Sequence, residues 1–405
     1  MNLPYFIAKR ISDPGENNFS SIIHRIAIAS VALGLAIMVV SFLILGGFQD
    51  NIKDKIFSFS GHIQLKKFSL SNSYEEEPFI VEDWRYEALK NDEYVKHVQE
   101  FAHKPGLLSK DDDVYGVLFK GINESFDPGL FEKYIVEGEF LTFPDSVASR
   151  DVLISDRLAK SLNIEVGERV VIHFIMDPPK VRGLNVVGIF KTALDTFDEQ
   201  VIIGDLDVVR SLNGWTDEQI GGMEIFVNDL SRLEEADDSI IQKISVSQFT
   251  ERVDDKYLQI FDWLNLLNQN VYIFLGLILF VAAFNMVSVL FILIMERTQM
   301  IGTFKALGAT NQLIRRIFSL NGFRLVLKGM LIGNVIGLGF GALQYYFRII
   351  PLDPQNYYME YVPIEWNWGI TLLLNLSTLV LVGLVLTLPT VIISRIRPVK
   401  AIRFD

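Results

Sequence analysis

Hydrophobic positions in this chain are bunched rather than spread. Four runs, Ile26–Phe48, Val271–Met295, Gly329–Phe347 and Trp368–Ser394, hold no Asp, Glu, Lys or Arg and are 23, 25, 19 and 27 residues long. A helix needs about 20 apolar residues to cross a bilayer, and each run has charged flanks, so the pattern predicts four transmembrane helices. The first run is too long for the apolar part of a cleaved signal and ends in Gly46-Gly47-Phe48 without an Ala-x-Ala site, so it reads as a retained span. Between the first and second runs the periodicity changes. Short strand-like stretches appear at His62–Phe68, Val114–Phe119, Arg169–Ile175, Leu184–Phe190 and Gly222–Val227. Helix-like stretches lie at Ser155–Leu162, Leu206–Leu212 and Leu230–Ile241, with polar breaks at Ser71–Glu77 and Asp177–Pro179. The segment Asp254–Gln269 has helical periodicity and reads as a stalk continuing span two as one helix.

The expected fold is therefore an integral membrane α-helical protein with a large extracytoplasmic α/β domain inserted between transmembrane helices 1 and 2. The boundaries are a cytoplasmic amphipathic segment 1–25, span 26–48, the α/β domain and stalk 49–270, and span 271–295. A cytoplasmic loop 296–328, span 329–347, outer loop 348–367, span 368–394 and cytoplasmic tail 395–405 follow.

Charge sets the orientation. The segments before span one, between spans two and three, and after span four carry thirteen basic residues against four acidic ones. Short Lys/Arg-rich segments stay in the cytoplasm, which places both termini and the middle loop inside. Residues 50–262 hold 23 basic and 42 acidic residues, a formal charge of −19, and such a surface argues against a nucleic-acid partner. Trp366 and Trp368 suit the interfacial aromatic belt.

Few residues offer chemistry. The five histidines show no metal-ligand spacing, the run Asp111-Asp112-Asp113 lacks the alternating ligands of a calcium loop, and no GxxxxGK[ST] phosphate loop is present. Cysteine is absent. No span contains an ionisable residue, so ion-coupled transport has no relay; Asn285, Asn334 and Asn375 fit inter-helix hydrogen bonding or a substrate path. Pro389 is expected to kink span four.

Two patterns carry a mechanical meaning. Gly329, Gly333, Gly337 and Gly341 repeat GxxxG along one face of span three, which specifies close helix packing within the chain or across a dimer. In the middle loop, Thr298–Leu307 reads as a short helix with Met300, Ile301, Phe304 and Leu307 on one face. Gly308 is its left-handed cap, and Thr310 or Asn311 caps the next helix. Such a helix either floats in the membrane interface or docks in a partner's groove.

Glu296-Arg297, Ile301-Gly302 and Lys305-Ala306-Leu307-Gly308-Ala309 resemble the coupling-helix signature of FtsX-like and MacB-like ABC-transporter permeases. The tail Arg395–Arg403 resembles their closing motif. Phe6–Arg10, Gly34, Gly46–Asp50, Val117–Ile122, Ile154–Ala159, Val166-Gly167 and Gly188–Phe190 are similar to the lipoprotein-releasing LolC/LolE permeases. The resemblance implies a permease subunit without an active site or a cofactor of its own; ATP and Mg would be bound by a separate cytoplasmic ABC ATPase acting on the coupling helix. It further implies a second permease subunit, the same or related, a lipoprotein substrate extracted from the inner membrane, and a periplasmic lipoprotein carrier. The alternatives are a MacB-like efflux permease and an FtsX-like regulator of cell-wall hydrolases. Gly302 and Ala306 are the positions where a bulky charge is expected to uncouple the ATPase.

Overall fold

Apolar runs of this length must bury or meet lipid, and the chain resolves them into long helices. The computed structural model describes residues 4–7, 19–69, 74–110, 113–144, 148–353, 357 and 359–390. The closing motif 395–403, Asp111 and Asp112 lie outside the described residues. Two compact units result: Met1–Asp50, Trp263–Pro351 and Tyr361–Asp405 form a helical unit, and Asn51–Asp262 with Leu352–Glu360 form an α/β unit.

In chain order the first elements are α1 (Phe19–Ser60), β1 (Ile63–Lys67), β2 (Phe79–Ile80), α2 (Asp83–Lys90), β3 (Val95–Lys110), β4 (Asp113–Ile122) and β5 (Ile135–Gly138). Next come β6 (Asp151–Ser155), α3 (Asp156–Leu162), β7 (Arg169–Phe174), β8 (Lys180–Phe190), α4 (Asp195–Asp198), β9 (Val201–Asp205) and α5 (Leu206–Asn213). The α/β unit closes with β10 (Gln219–Ile220), β11 (Gly222–Val227), α6 (Leu233–Ile241), β12 (Gln248–Arg252) and α7 (Val253–Lys256). The remaining helices are α8 (Leu258–Glu296), α9 (Thr298–Ala306), α10 (Asn311–Phe347), α11 (Trp368–Val385) and α12 (Thr387–Thr390).

The strand pairings of the α/β unit close on themselves. β3 pairs β4, β4 pairs β9, β9 pairs β6, β6 pairs β8, β8 pairs β7, and β7 returns to β3. This six-stranded ring removes free edges, and a side arm of β11, β1 and β12 leaves it from β3. Strand β3 serves both because it is long: Val95–Phe101 faces β11, and Gly106–Ser109 faces β7. Pro105 lies in the gap between those partners. Its carbonyl accepts from Ile175 N–H at 3.2 Å, on the side of β7, so the donor that proline lacks would also have pointed into that gap. The core is aliphatic and aromatic, with Phe119, Ile154, Ile172, Phe174, Val186, Ile202 and Val209 buried. Helix α3 is capped by the Ser155 side chain accepting from Leu158 N–H, and α5 starts at Asp205 and stops at left-handed Gly214.

All five strand-like stretches form strands, and the three helix-like stretches form α3, α5 and a short turn leading into α6. From Leu258 the stalk continues span two as one helix, α8, as expected; its first residues differ. Helical pairing is interrupted at Tyr257, so α7 and α8 are separate helices. Tyr257 is held in place there, with its ring against Phe197 and its hydroxyl near Ser60.

Among the described residues, four helices are long and apolar enough to cross a membrane. Helix α1 runs well past Phe48 to Ser60 and α10 begins at Asn311, so both exceed their apolar runs. The fourth span was expected to reach Ser394; helix α11 ends at Val385 and α12 covers Thr387–Thr390, with residues 391–394 outside the described ones. The interruption at Leu386 precedes Pro389, which has no backbone N–H to bond the Val385 carbonyl.

Candidate coupling loop and helix contacts

Helix α9 is built to stay put. Arg297, the residue between α8 and α9, continues the backbone pairing through its N–H to Leu293 O at 3.2 Å, and Ile301 N–H donates to Arg297 O at 3.0 Å. At the other end Leu307 is the cap and Gly308 adopts φ +89°, a left-handed conformation that glycine reaches without strain. Gly308 N–H donates to Lys305 O at 3.1 Å, and Ala309 N–H to Phe304 O at 2.9 Å. That pair of bonds is the Schellman closure, and Phe304 and Ala309, at the positions whose apolar contact accompanies it, both pack against the Ile301 cluster. The Thr310 side chain then caps α10 by accepting from Leu313 N–H at 3.3 Å.

The face expected to be apolar splits. Ile301 is fully buried, packed with Ile294, Ile314 and Phe318, while Met300 and Phe304 are half-buried against the same cluster. Leu307 does not join them; it is 80% exposed. It occupies the cap position, where the helical phase that would carry it to the packed face has ended. Gly302 is also buried, whereas Thr303, Ala306, Leu307 and Gly308 are exposed. The apolar stripe therefore secures α9 to its own chain, and Ala306-Leu307-Gly308 is the corner left accessible. Glu296, at the end of α8, is exposed, and Lys305 is half-buried. Crowding, reinforced by Arg315, lowers the Lys305 pKa from its ordinary value.

The glycine stripe meets helix α1. A Cβ at Gly333 would stand 2.6 Å from Ala32 O, one at Gly329 2.8 Å from Val31 Cβ, one at Gly337 3.1 Å from Ala36 O, and one at Gly341 2.7 Å from Leu43 Cδ1. Gly339, on the same helix but off the stripe, has open space around it. The contact is thus within one chain. Polar amides bridge helices: Asn334 and Asn375 exchange hydrogen bonds of 2.7 and 3.0 Å between α10 and α11, and Asn285 donates to Ser30 Oγ at 2.9 Å between α8 and α1. These bonds are the inter-helix reading of the three asparagines.

The loop between α10 and α11 is pinned by buried Gln344. Its Nε2 donates to Val362 O at 2.9 Å and its Oε1 accepts from Ile350 N–H at 2.9 Å. Trp366 and Trp368 stack at 5.9 Å.

A buried ion pair in the α/β unit has no counterpart in the sequence reading. Lys120 donates to Glu224 Oε1 at 2.6 Å, and Gln99 to Glu224 Oε2 at 2.7 Å. The partners sit on β3, β4 and β11, and only the sheet register brings them together; alternation of an isolated Lys or Glu within a strand carries no such signal.

Two family descriptions match the chain: the MacB-like periplasmic core domain over residues 26–243 and the FtsX-like permease C-terminal region over residues 272–399. The lipoprotein-releasing system transmembrane protein LolC of Neisseria meningitidis is 23% identical over 435 aligned residues, covering 100% of this chain and 98% of that protein. LolE of Haemophilus influenzae is 21% identical and covers 99% of each. The solved periplasmic region of MacB from Actinobacillus actinomycetemcomitans is 14% identical, with 49% of this chain and 91% of that chain covered at a TM-score of 0.35.

Proposed function

Because this chain belongs to the LolC/LolE family of MacB-like, FtsX-like permeases, we propose that a separate cytoplasmic ATPase drives it by gripping the corner Ala306-Leu307-Gly308 of helix α9. It is a permease of the lipoprotein-releasing type, a multi-pass inner-membrane protein with a periplasmic-type domain. Efflux and wall-hydrolase regulation are not favoured, since the full-length relatives are lipoprotein-releasing proteins. In the proposed arrangement four helices span the membrane, both termini and α9 face the cytoplasm, and the α/β unit stands in the periplasm. ATP and Mg reside in the ATPase. A second permease subunit, identical or related, completes the pair, and a periplasmic carrier receives the extracted lipoprotein.

The observation carrying this reading is a short helix fastened at both ends whose apolar face is satisfied within its own chain, leaving an exposed corner. Motion imposed there passes to α8 and α10, which flank α9 in sequence and pack on Ile301. Binding energy from the ATP-driven closure would then appear as displacement of the spans rather than as chemistry in this subunit.

The test replaces Ala306 with Glu in cells depleted of the native protein, followed by separation of inner and outer membranes. Lipoproteins should accumulate in the inner membrane while the variant is inserted at normal level. Normal sorting by the inserted variant would overturn the assignment. Gly302 is a poorer position than the sequence suggested, because it is buried and its replacement also disturbs the packing of α9.

A further inference from the structure

The α/β unit contains a cavity of about 760 Å³, within the size range of small-molecule sites. It is bounded by the end of α1, by β1, β12 and α7, and by β4 with the start of β9. Its lining is divided in character. Phe59, Phe197 and Val201 are buried beneath it, while Phe68, Tyr74 and Phe249 present exposed rings around it, at 64%, 73% and 37%. Exposed rings clustered at a concave surface mark a binding site more often than scattered ones do.

Most charges lining the cavity already have partners. Glu251 takes Lys66 at 2.9 Å, Glu76 takes His103 at 2.7 Å, and Glu75 takes Lys104 at 2.6 Å. Lys120 is committed to Glu224. Lys256 is the exception. Its ammonium donates to the neutral amide oxygen of Gln64 at 2.8 Å and forms no ion pair among the described residues. Its side chain remains accessible, yet crowding by the walls pushes its pKa down to about 8. Lys67, also on the lining, donates to Pro78 O at 3.3 Å. Against these stands Glu77, an exposed carboxylate. Lys256 and Lys67, which donate only to neutral oxygens, thus stand beside exposed aromatic surface.

We propose that this cavity binds a single-chain amphiphile with an anionic head, carboxylate or phosphate, the head pairing with Lys256 and the chain lying along Phe68, Tyr74 and Phe249. The hydrogen bond to Gln64 fixes the ammonium without neutralising it, so an arriving anion gains a charge-assisted bond at the cost of no existing ion pair. The site is independent of the transport reading, since it lies wholly within the α/β unit.

The full chain in neutral phosphatidylcholine nanodiscs is exposed to three diazirine photoprobes of equal chain length: a carboxylate, an alkyl phosphate and an alcohol. Adducts are located by mass spectrometry. One or both anionic probes should label Phe68, Tyr74 or Phe249; labelling by the carboxylate alone assigns a fatty-acid-like ligand, and labelling by the phosphate a phospholipid-like one. Lys256→Gln should reduce this labelling about tenfold or more, the size expected for one hydrogen bond to a charged group, with unchanged thermal unfolding. Val201→Trp, which fills the cavity and keeps the lysine, should abolish it. Labelling confined to the spans, equal labelling by the alcohol, or undiminished labelling in Lys256→Gln would overturn the proposal.

Discussion

The glycine stripe allows a sharp comparison, because one helix carries both crowded and open glycines. Alanine at Gly333 places a Cβ 2.6 Å from Ala32 O and 3.1 Å from Ala32 Cα and Leu35 Cβ. Apolar atoms pack best at roughly 3.5–4.0 Å, and two of these obstacles are backbone, which cannot swing aside. Helices α1 and α10 must therefore separate by a sizeable fraction of an ångström. Opening a gap of about 0.5–1 Å forfeits a quarter to a half of each contact along the seam. Overpacking of this kind costs about 1–3 kcal/mol. At Gly339 the same substitution meets nothing within 4 Å. Both alanines gain the same helix propensity, about 1 kcal/mol, so that contribution cancels in the difference.

Gly333→Ala should thus be less stable than Gly339→Ala by about 1–3 kcal/mol. Gly337→Ala should fall between them, since its contacts of 3.1–3.2 Å need only a few tenths of an ångström of relief. Gly341→Ala should be nearly neutral, because its one close obstacle is the end of the Leu43 side chain, with Trp366 and Ile364 at ordinary contact distances of 3.5 and 3.9 Å. The assay is thermal or detergent-induced unfolding of the purified chain, followed through helix content. Equal stability of Gly333→Ala and Gly339→Ala would refute the packing argument.

Other outcomes follow from single contacts. A Cβ at Gly34 would lie 3.8 Å from Ala282 Cβ, the spacing favoured in disulfides; the chain has no native cysteine, so Gly34→Cys with Ala282→Cys should cross-link α1 to α8 under mild oxidation, and absence of the bond on reducing against non-reducing gels would refute this helix pairing. Burial, aided by Lys96, pushes the His62 imidazole down to about 4 against an ordinary 6.5, with Asp54 opposing, and its Nδ1 accepts from Val227 N–H at 2.8 Å. Because the folded state takes up that proton less readily than the unfolded one, the stability it contributes is complete above pH 6.5 and lost as the pH falls to about 4, at most about 3 kcal/mol. His62→Asn, which retains an acceptor without titrating, should flatten denaturation midpoints over that window; an unchanged slope would contradict the assignment.

What the sequence disclosed was local. Four uncharged runs predict four apolar helices because lipid imposes a length on each one separately. The cap at Gly308 was legible because a Schellman closure depends on a few consecutive residues. Even there the phase misled: Leu307 continues the helical spacing of Met300, Ile301 and Phe304 on paper, but the helix ends before it. The extension of α1 beyond Phe48 left a trace that apolar run length does not register, since Ile52, Ile56 and Phe59, all buried, recur at intervals of four and three. The ring was not legible. Its closure depends on β4 lying parallel to β9, β6 parallel to β8, and β7 returning to β3, and no single strand specifies a distant neighbour. Strand β3 was concealed further, because Pro105 argues against a central strand unless the gap between β11 and β7 is already known.

The same distinction separates the candidate sites. The coupling loop is continuous in sequence, so its motif could be read directly, and the structure altered which residues face outward. The cavity is discontinuous. Lys256 gains meaning only when Gln64, nearly two hundred residues earlier, supplies a neutral acceptor and when the neighbouring carboxylates are found engaged by Lys66, His103 and Lys104. A lysine in an acidic domain reads as solvated surface until those pairings are drawn. The α/β unit as a whole repels anions at long range, while screening limits that repulsion to roughly 8–10 Å in physiological salt. Within that distance the Lys256 ammonium acts directly on a bound anion, against the opposing pull of Glu251, Glu76 and Glu224 on the same lysine.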